Sequence, residues 1–451
     1  MTSRGPIDNL GIPPLAGLCT YEEACRVGFD VDANVNLLKR YNYASRRLHE
    51  SLVAHVPRTP EWEVKCAMGL HQWILAEHCA WIRRRVSEMR EPPLHLDQCP
   101  DPKLELWMEE TIRAESTVEL LTGIYSVGIP ELIETYQWHL ERTNPMIDHP
   151  TCRILRLMLS ELESMATWGK QALSAIIRTE SDATSAKDWE DHVRAYLAEA
   201  GGIAGEPARF AAAPLPTPRS NGEPYEMDVV PKRDARFTDP YNQSALIDEY
   251  YKDESRAPDE RTYALLYKRL REMDVPEYMA PIIFKTKGKP WEYYADLGRQ
   301  LWDETRHAMM GEVGLYQDGV PFYRYPIDLK TSLTANTQLE PLQAHLILTG
   351  IELSLMPKKT GKRFEWVIAK SSGNDLAATI QDYDWADEVL HAQIGRRWLV
   401  PEFGSLEKLQ SAYDELWPRW WALSLEKRAL SEQKEWWSEF LREIRASKLA
   451  K

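Results

Sequence analysis

The sequence predicts an all-α protein of two helical bundles, the second carrying a long added helix at its C-terminal end. Three features support this. Apolar residues recur at spacings of three and four along most of the chain, the period of helices with one buried face. Prolines fall between these segments or in their first turns, where the missing N–H costs nothing. No stretch alternates apolar and polar residues as a half-buried strand does. With 451 residues the chain exceeds one compact core, so two domains are expected.

A first helix is expected over 32–56, stopped by Pro57, and a second over 61–90, broken by Pro92-Pro93. Others follow at 103–127, 130–143 and 150–178, with Pro130 and Pro150 in first turns, and a shorter one at 185–200 ends in Gly201-Gly202. The stretch AAAPLPTPRSNGEPYEMDVVPKRD (211–234) has neither helical nor strand period and reads as an extended strap. The expected division is therefore a first bundle at 1–205, a linker at 206–235 and a second bundle at 236–451. Helices in the second bundle are expected at 259–284, 290–315, 338–356 and 374–399, the last stopping before Pro401. A single long helix over 405–447 completes it.

Composition excludes several classes of function. A net charge of −14 disfavours nucleic acid and anionic membranes as partners. No run of about 18 apolar residues marks a membrane span, and the N-terminus lacks the basic and apolar regions of a secretory signal. The six cysteines form no Cys-x-x-Cys pair and are expected to be reduced thiols of a cytoplasmic protein. The 17 tryptophans are explained by bulky helix packing.

The chemistry lies in a repeated motif. Asp303-Glu304-Thr305-Arg306-His307 and Asp387-Glu388-Val389-Leu390-His391 each place a Glu and a His three residues apart, on one helix face. Between them Glu352 interrupts the apolar run ILTGIELSLM, where a lone carboxylate needs a partner or a cation. A fourth carboxylate is expected from 259–284. Glu277 continues the stripe Tyr263, Leu266, Leu270 and Met273 and is the preferred choice; Glu272, beside Lys268, Arg269 and Arg271, is the alternative. Only His307, His345 and His391 occur between 193 and 451. His345, two turns before Glu352, reads as a core histidine or an extra ligand, and Asp384, one turn before Glu388, as an extra ligand or a capping residue. Asp303 and Asp387 are placed to hold the ring N–H of the opposing histidine.

One Glu plus Glu-x-x-His, given twice, resembles the dimetal pattern of the ferritin-like superfamily over residues 259–399. Asp-Glu-Thr-Arg-His (303–307) is similar to the motif of diiron oxidases and oxygenases. The resemblance implies a four-helix bundle holding two iron ions, or Mn/Fe or Mn/Mn, with O₂ as co-substrate. Glu304 and Glu388 would bridge, Glu277 and Glu352 would be terminal, and His307 and His391 would each bind one metal. Carboxylates and imidazoles suit Fe(II) and Mn(II) better than thiolate-loving ions.

The first half offers His71, Glu77, His78, Glu115, Glu161 and Glu163 but no Glu-x-x-His, so it is expected to be a metal-free bundle. The function these readings imply is a non-heme diiron oxygenase or oxidase acting on a small organic molecule. Trp302, Tyr383 and Trp385 are candidates to line its pocket. No nucleotide or flavin motif is visible, so electrons are expected from an external donor or from the substrate. The alternatives are a ferroxidase or metal-sequestering protein without an organic substrate, and a ligand-binding scaffold with a structural metal. A homodimer is among the open assemblies.

Overall fold

The computed structural model describes residues 10–90, 94–211 and 214–449, so Pro92-Pro93 lies outside the described residues. Among them there is no strand, and the secondary structure is helical throughout. No helix among them is long and apolar enough to cross a membrane.

Local chemistry sets the ends of the early helices. α1 (Val31–His55) starts where Asp30 accepts from the Ala33 N–H at 2.8 Å, and α2 (Trp62–Ser87) follows after a short turn. α3 (Pro102–Thr111) has Asp101 as its cap and Pro102 in its first turn. The helix expected to run unbroken to 127 stops at Thr111 and restarts as α4 (Thr117–Leu121), because the Ser116 hydroxyl captures the Glu119 N–H. A π-helical turn at Thr122–Gly128 then leads directly into α5 (Ile129–Arg142). Pro130 cannot donate to the Ser126 carbonyl, and the Arg194 guanidinium donates to it instead at 2.7 Å. α6 (His149–Ile176) packs on α5, and α7 (Glu180–Glu199), opened by a Thr179–Asp182 capping box, packs on α3.

The chain divides into two units. The first holds the residues up to His49 and Ile74–Tyr225; the second holds Glu50–Trp73 and everything from Glu226. The turn joining α1 to α2 thus belongs to the second unit, whose core includes Trp62 and Cys66, although 1–205 was expected to fold as one piece. The strap follows the same division. Arg219 and Ser220 donate their backbone N–H groups to Glu110 in the first unit, while the Lys232 N–H bonds the Pro57 carbonyl in the second.

The second unit contains α8 (Ile247–Lys252), α9 (Pro258–Arg271), α10 (Asp274–Lys285), α11 (Trp291–Gln317) and α12 (Lys330–Gln338). After them come α13 (Pro341–Ser354), α14 (Lys362–Ser371), α15 (Asp375–Phe403), α16 (Leu406–Glu426) and α17 (Trp437–Leu449). α9 is buried on nearly all sides, against α8, α11 and α14. α11 and α13 both pack on α15.

Four features depart from the sequence expectations. The helix foreseen at 259–284 breaks at Glu272–Met273: Pro276 has no N–H for the Glu272 carbonyl, which accepts from Val275 at 2.9 Å instead. α12 and α14 are additional short helices; Asp274 accepts from the Thr331 and Ser332 N–H groups to start α12. α15 continues through Pro401 to Phe403 and ends where Gly404 takes φ 82°, since one lost bond in the last turn does not end a helix. The single C-terminal helix is two, separated by residues 427–436. There Asn242 and Ser244 bind the Lys434 carbonyl at 2.9 and 2.5 Å and outcompete the helical bond.

The α9–α11 contact is a backbone-to-backbone constraint on the bundle. A Cβ on Gly311 would run into the Leu270 and Leu266 backbone, whereas one on Gly314 would meet only the Leu266 side chain. Gly311→Ala is expected to destabilise the protein by about 1–3 kcal/mol in urea unfolding, with Gly314→Ala costing less.

Candidate metal centre

Seven chelating side chains converge inside the second unit. α11 presents Glu304 and His307, α13 presents Glu352, and α15 presents Asp384, Glu388 and His391. Glu272, at the C-terminal cap of α9, completes the set. They form three overlapping groups: Glu304, Glu352, Glu388 and His391; Glu272, Glu304 and His307; and His307, Asp384 and Glu388. Within each group the ligand atoms lie within 4.8 Å of one another.

Glu304 occupies the middle. Its Oε2 lies 3.6 Å from His307 Nδ1 and its Oε1 lies 3.2 Å from His391 Nδ1. The Glu388 Oε2 is 3.4 Å from His391 Nδ1, and the Glu272 Oε2 is 3.6 Å from His307 Nδ1. Both imidazoles turn Nδ1 inward. On the outer side, His307 Nε2 meets Asp387 at 3.1 Å and His391 Nε2 faces Asp303 at 3.5 Å. Each aspartate thus faces the histidine of the opposing helix. Arg306 ties the two together, reaching Asp303 at 2.7 Å and Asp387 at 2.6 Å.

The sequence-derived set needs one correction. Glu277 is not brought to the cluster. Its Oε1 pairs with Lys65 and Arg233, both buried, and Glu272 stands where Glu277 was expected. Glu277 does continue the buried stripe, but it stands five residues past Glu272, about 140° around a helix, and faces Lys65 and Arg233 rather than the cluster. His345 is a core histidine beside the Tyr293 hydroxyl at 3.3 Å, and burial pushes it down to about 3, leaving it neutral. Tyr383 is 60% exposed and so faces solvent, and Trp302 stacks on Trp73.

Two residues near the centre were not foreseen. Lys362, at the start of α14, and Arg269, near the end of α9, are both 0% exposed. Lys362 Nζ contacts both Asp384 oxygens at 2.9 and 3.0 Å and the Glu388 Oε1 at 2.8 Å. Arg269 pairs with Asp384 and with the Glu272 Oε1 at 2.8 Å. The one sequence signal for them was their spacing to acidic neighbours, Lys362 to Glu365 and Arg269 to Glu272, but Lys358-Lys359-Thr360-Gly361-Lys362-Arg363 reads as a solvated turn.

Charge follows this geometry. Burial alone would discharge His307, but the Asp387 bond and the Glu304 and Asp384 charges outweigh it and lift the ring to about 10. Burial likewise opposes charge on His391, and Asp303, Glu304 and Glu388 raise it well above the usual range. Burial and the Glu388 and Glu304 charges drive Glu352 well up, while Lys362, Glu352 and His391 overcome burial to hold Glu388 well down. Burial raises Glu272 to about 7, against the pull of Arg269 and Lys362. Burial and Arg269 work against the Lys362 charge, yet Asp384, Glu388 and Glu272 keep it cationic.

The donor set fits a pair of hard divalent ions. Glu272 Oε2, His307 Nδ1, Glu388 Oε2 and His391 Nδ1 are buried without a hydrogen-bond partner, and all four face into the cluster. The groups contain only oxygen and imidazole donors, as Fe(II) and Mn(II) prefer. Compared with protein-family models, curated proteins and solved structures, the chain matches none.

Two outcomes follow. Glu272→Gln is expected to lower metal content with little loss of stability, because Arg269 keeps Asp384. Glu277→Gln should leave metal binding in place and cost about 3–5 kcal/mol in unfolding, since it strands buried Lys65 and Arg233. Elemental analysis together with denaturation midpoints separates the two. Metal must also displace protons, because His307 is lifted to about 10 and its neighbours raise His391 and Glu352 as well. Loading at pH 7 should therefore release protons, that of His307 among them. Apparent affinity should rise with pH until about 10, where His307 has lost its proton in the metal-free protein. An indicator dye in weak buffer reads the release.

Proposed function

We propose that the chain is a non-heme dimetal-carboxylate oxidase or oxygenase that uses O₂ to oxidise a small organic molecule. The observation that carries this reading is the convergence of two Glu-x-x-His pairs, from α11 and α15, on one buried point with Glu272 and Glu352 beside them. The residues that would hold the ions are Glu272, Glu304, His307, Glu352, Glu388 and His391, with Asp384 within reach. Two iron or manganese ions there would supply the electrons that reduce O₂.

The protein's own part is positioning and proton control. Glu304 offers one oxygen to each half of the centre, which suits a bridging carboxylate. Asp303 and Asp387 fix the ring orientation so that the Nδ1 lone pairs point inward. The Gln300 amide donates to the Glu352 Oε1 at 3.1 Å and holds that carboxyl in place. Before loading, Glu352 carries a proton toward Glu388, and its loss frees a ligand oxygen. Electrons beyond those of the metal pair would come from a separate reductase or from the substrate.

Anaerobic loading with Fe(II), elemental analysis and O₂ uptake test the reading. Two ions per chain and O₂ uptake are expected. Glu352→Ala should stay folded and lose both. Asp387→Asn should weaken binding by about 10–100-fold. Rapid O₂ uptake by Fe(II) with large ferric deposits per chain would favour iron handling instead. Firmly held metal with no O₂ uptake would leave only a structural role.

A further inference from the structure

The two halves of the centre are not equivalent, and the difference lies in Lys362. In the His307 half, Lys362 holds both oxygens of Asp384 and one oxygen of Glu388. Arg269 takes the Glu272 Oε1 and shares Asp384. Glu272 Oε2, Glu304 Oε2 and His307 Nδ1 remain, three donors beside two fixed positive charges. The His391 half keeps four donors: Glu304 Oε1, Glu352, Glu388 Oε2 and His391 Nδ1. Its link to a cation runs only through the far oxygen of Glu388, and the side chain bound to Glu352 is the neutral Gln300.

We propose that Lys362 is a resident cation of the centre that makes it load in order, the His391 half first and tightly, the His307 half second and weakly. This rests on the dimetal reading of the site and adds to it a role for a residue outside the ligand set. An ion entering the His307 half meets a fixed ammonium and guanidinium at close range and competes with Lys362 for Asp384 and Glu388. An ion entering the His391 half meets Lys362 only through the far oxygen of Glu388 and does not meet Arg269. Lys362 cannot easily withdraw: it sits in the first turn of α14, 0% exposed, and α14 is packed against both α9 and α15. The second ion is therefore the exchangeable one, and the centre is completed only at metal concentrations that overcome Lys362.

Anaerobic titration of the full chain with Mn(II), following the electron paramagnetic resonance signal of the free ion, tests this directly. The expected isotherm has two steps at least tenfold apart in affinity, and brief dialysis leaves one ion per chain. His391→Ala should abolish the tight step, and His307→Ala should abolish only the weak one. Lys362→Met should tighten the second step so that the two merge, while Lys362→Arg keeps them apart. If Lys362→Met does not fold, the wild-type isotherm and the two histidine variants decide alone. A single step for two equal ions in the wild type, or a tight ion that survives His391→Ala, would overturn the proposal while leaving the dimetal reading intact. No Mn(II) or Fe(II) binding at any concentration would overturn both.

Discussion

Five carboxylates, Glu272, Glu304, Glu352, Asp384 and Glu388, are gathered at one place in the second unit, four buried and Glu272 partly exposed, and the surrounding structure answers to that constraint. Removing each charge from solvent costs several kcal/mol unless a partner offsets it. Lys362 and Arg269 supply two positive charges, which leaves three negative. The raised proton affinities of His307, His391 and Glu352 offset this excess in the metal-free protein. On the proposed dimetal reading, two divalent ions would take the place of those protons. Helices that look incidental in the fold serve this balance: α14 delivers Lys362, and the end of α9 delivers the buried Arg269 and the partly exposed Glu272.

The motif repeat has a structural logic beyond its ligands. In each Asp-Glu-x-x-His the Glu and His face inward, and the Asp preceding the Glu reaches the histidine of the other helix. α11 and α15 therefore orient one another's imidazoles, and Arg306 locks the two aspartates together. Reciprocity of this kind makes the centre sensitive to the packing of the two helices. It also ties the site to Gly311, whose missing side chain lets α11 lie close on α9 and brings Glu272 within reach of His307.

What could be read from the sequence was what depends on near neighbours. Helical periods, proline boundaries and the two i, i+3 pairs are local, and Glu352 stood out because its own helix is otherwise apolar. What escaped depends on contacts distant in sequence. The C-terminal helix is interrupted by Asn242 and Ser244, nearly two hundred residues away, with neither glycine nor proline to signal it. Lys362 lies in a run that looks like solvated surface, and only the packing of α14 against α15 makes it buried. The choice of Glu277 followed the apolar stripe, and that stripe leads to Lys65 and Arg233, which only the fold brings there.

Glu277 also shows what separates a structural carboxylate from one poised for a metal. Burial does not, since Glu277 is as buried as Glu304. A missing hydrogen bond does not either, since Glu277 Oε2 lacks a partner just as Glu388 Oε2 does. The balance of charge does. Glu277 is one anion between two cations, Lys65 and Arg233, so a further positive ion there would be repelled. At the centre, five anions share two fixed cations, and the remainder is carried by protons that a stronger Lewis acid can displace. The excess of anion over fixed cation, set by which helices end nearby, marks the place where this fold can hold a divalent ion.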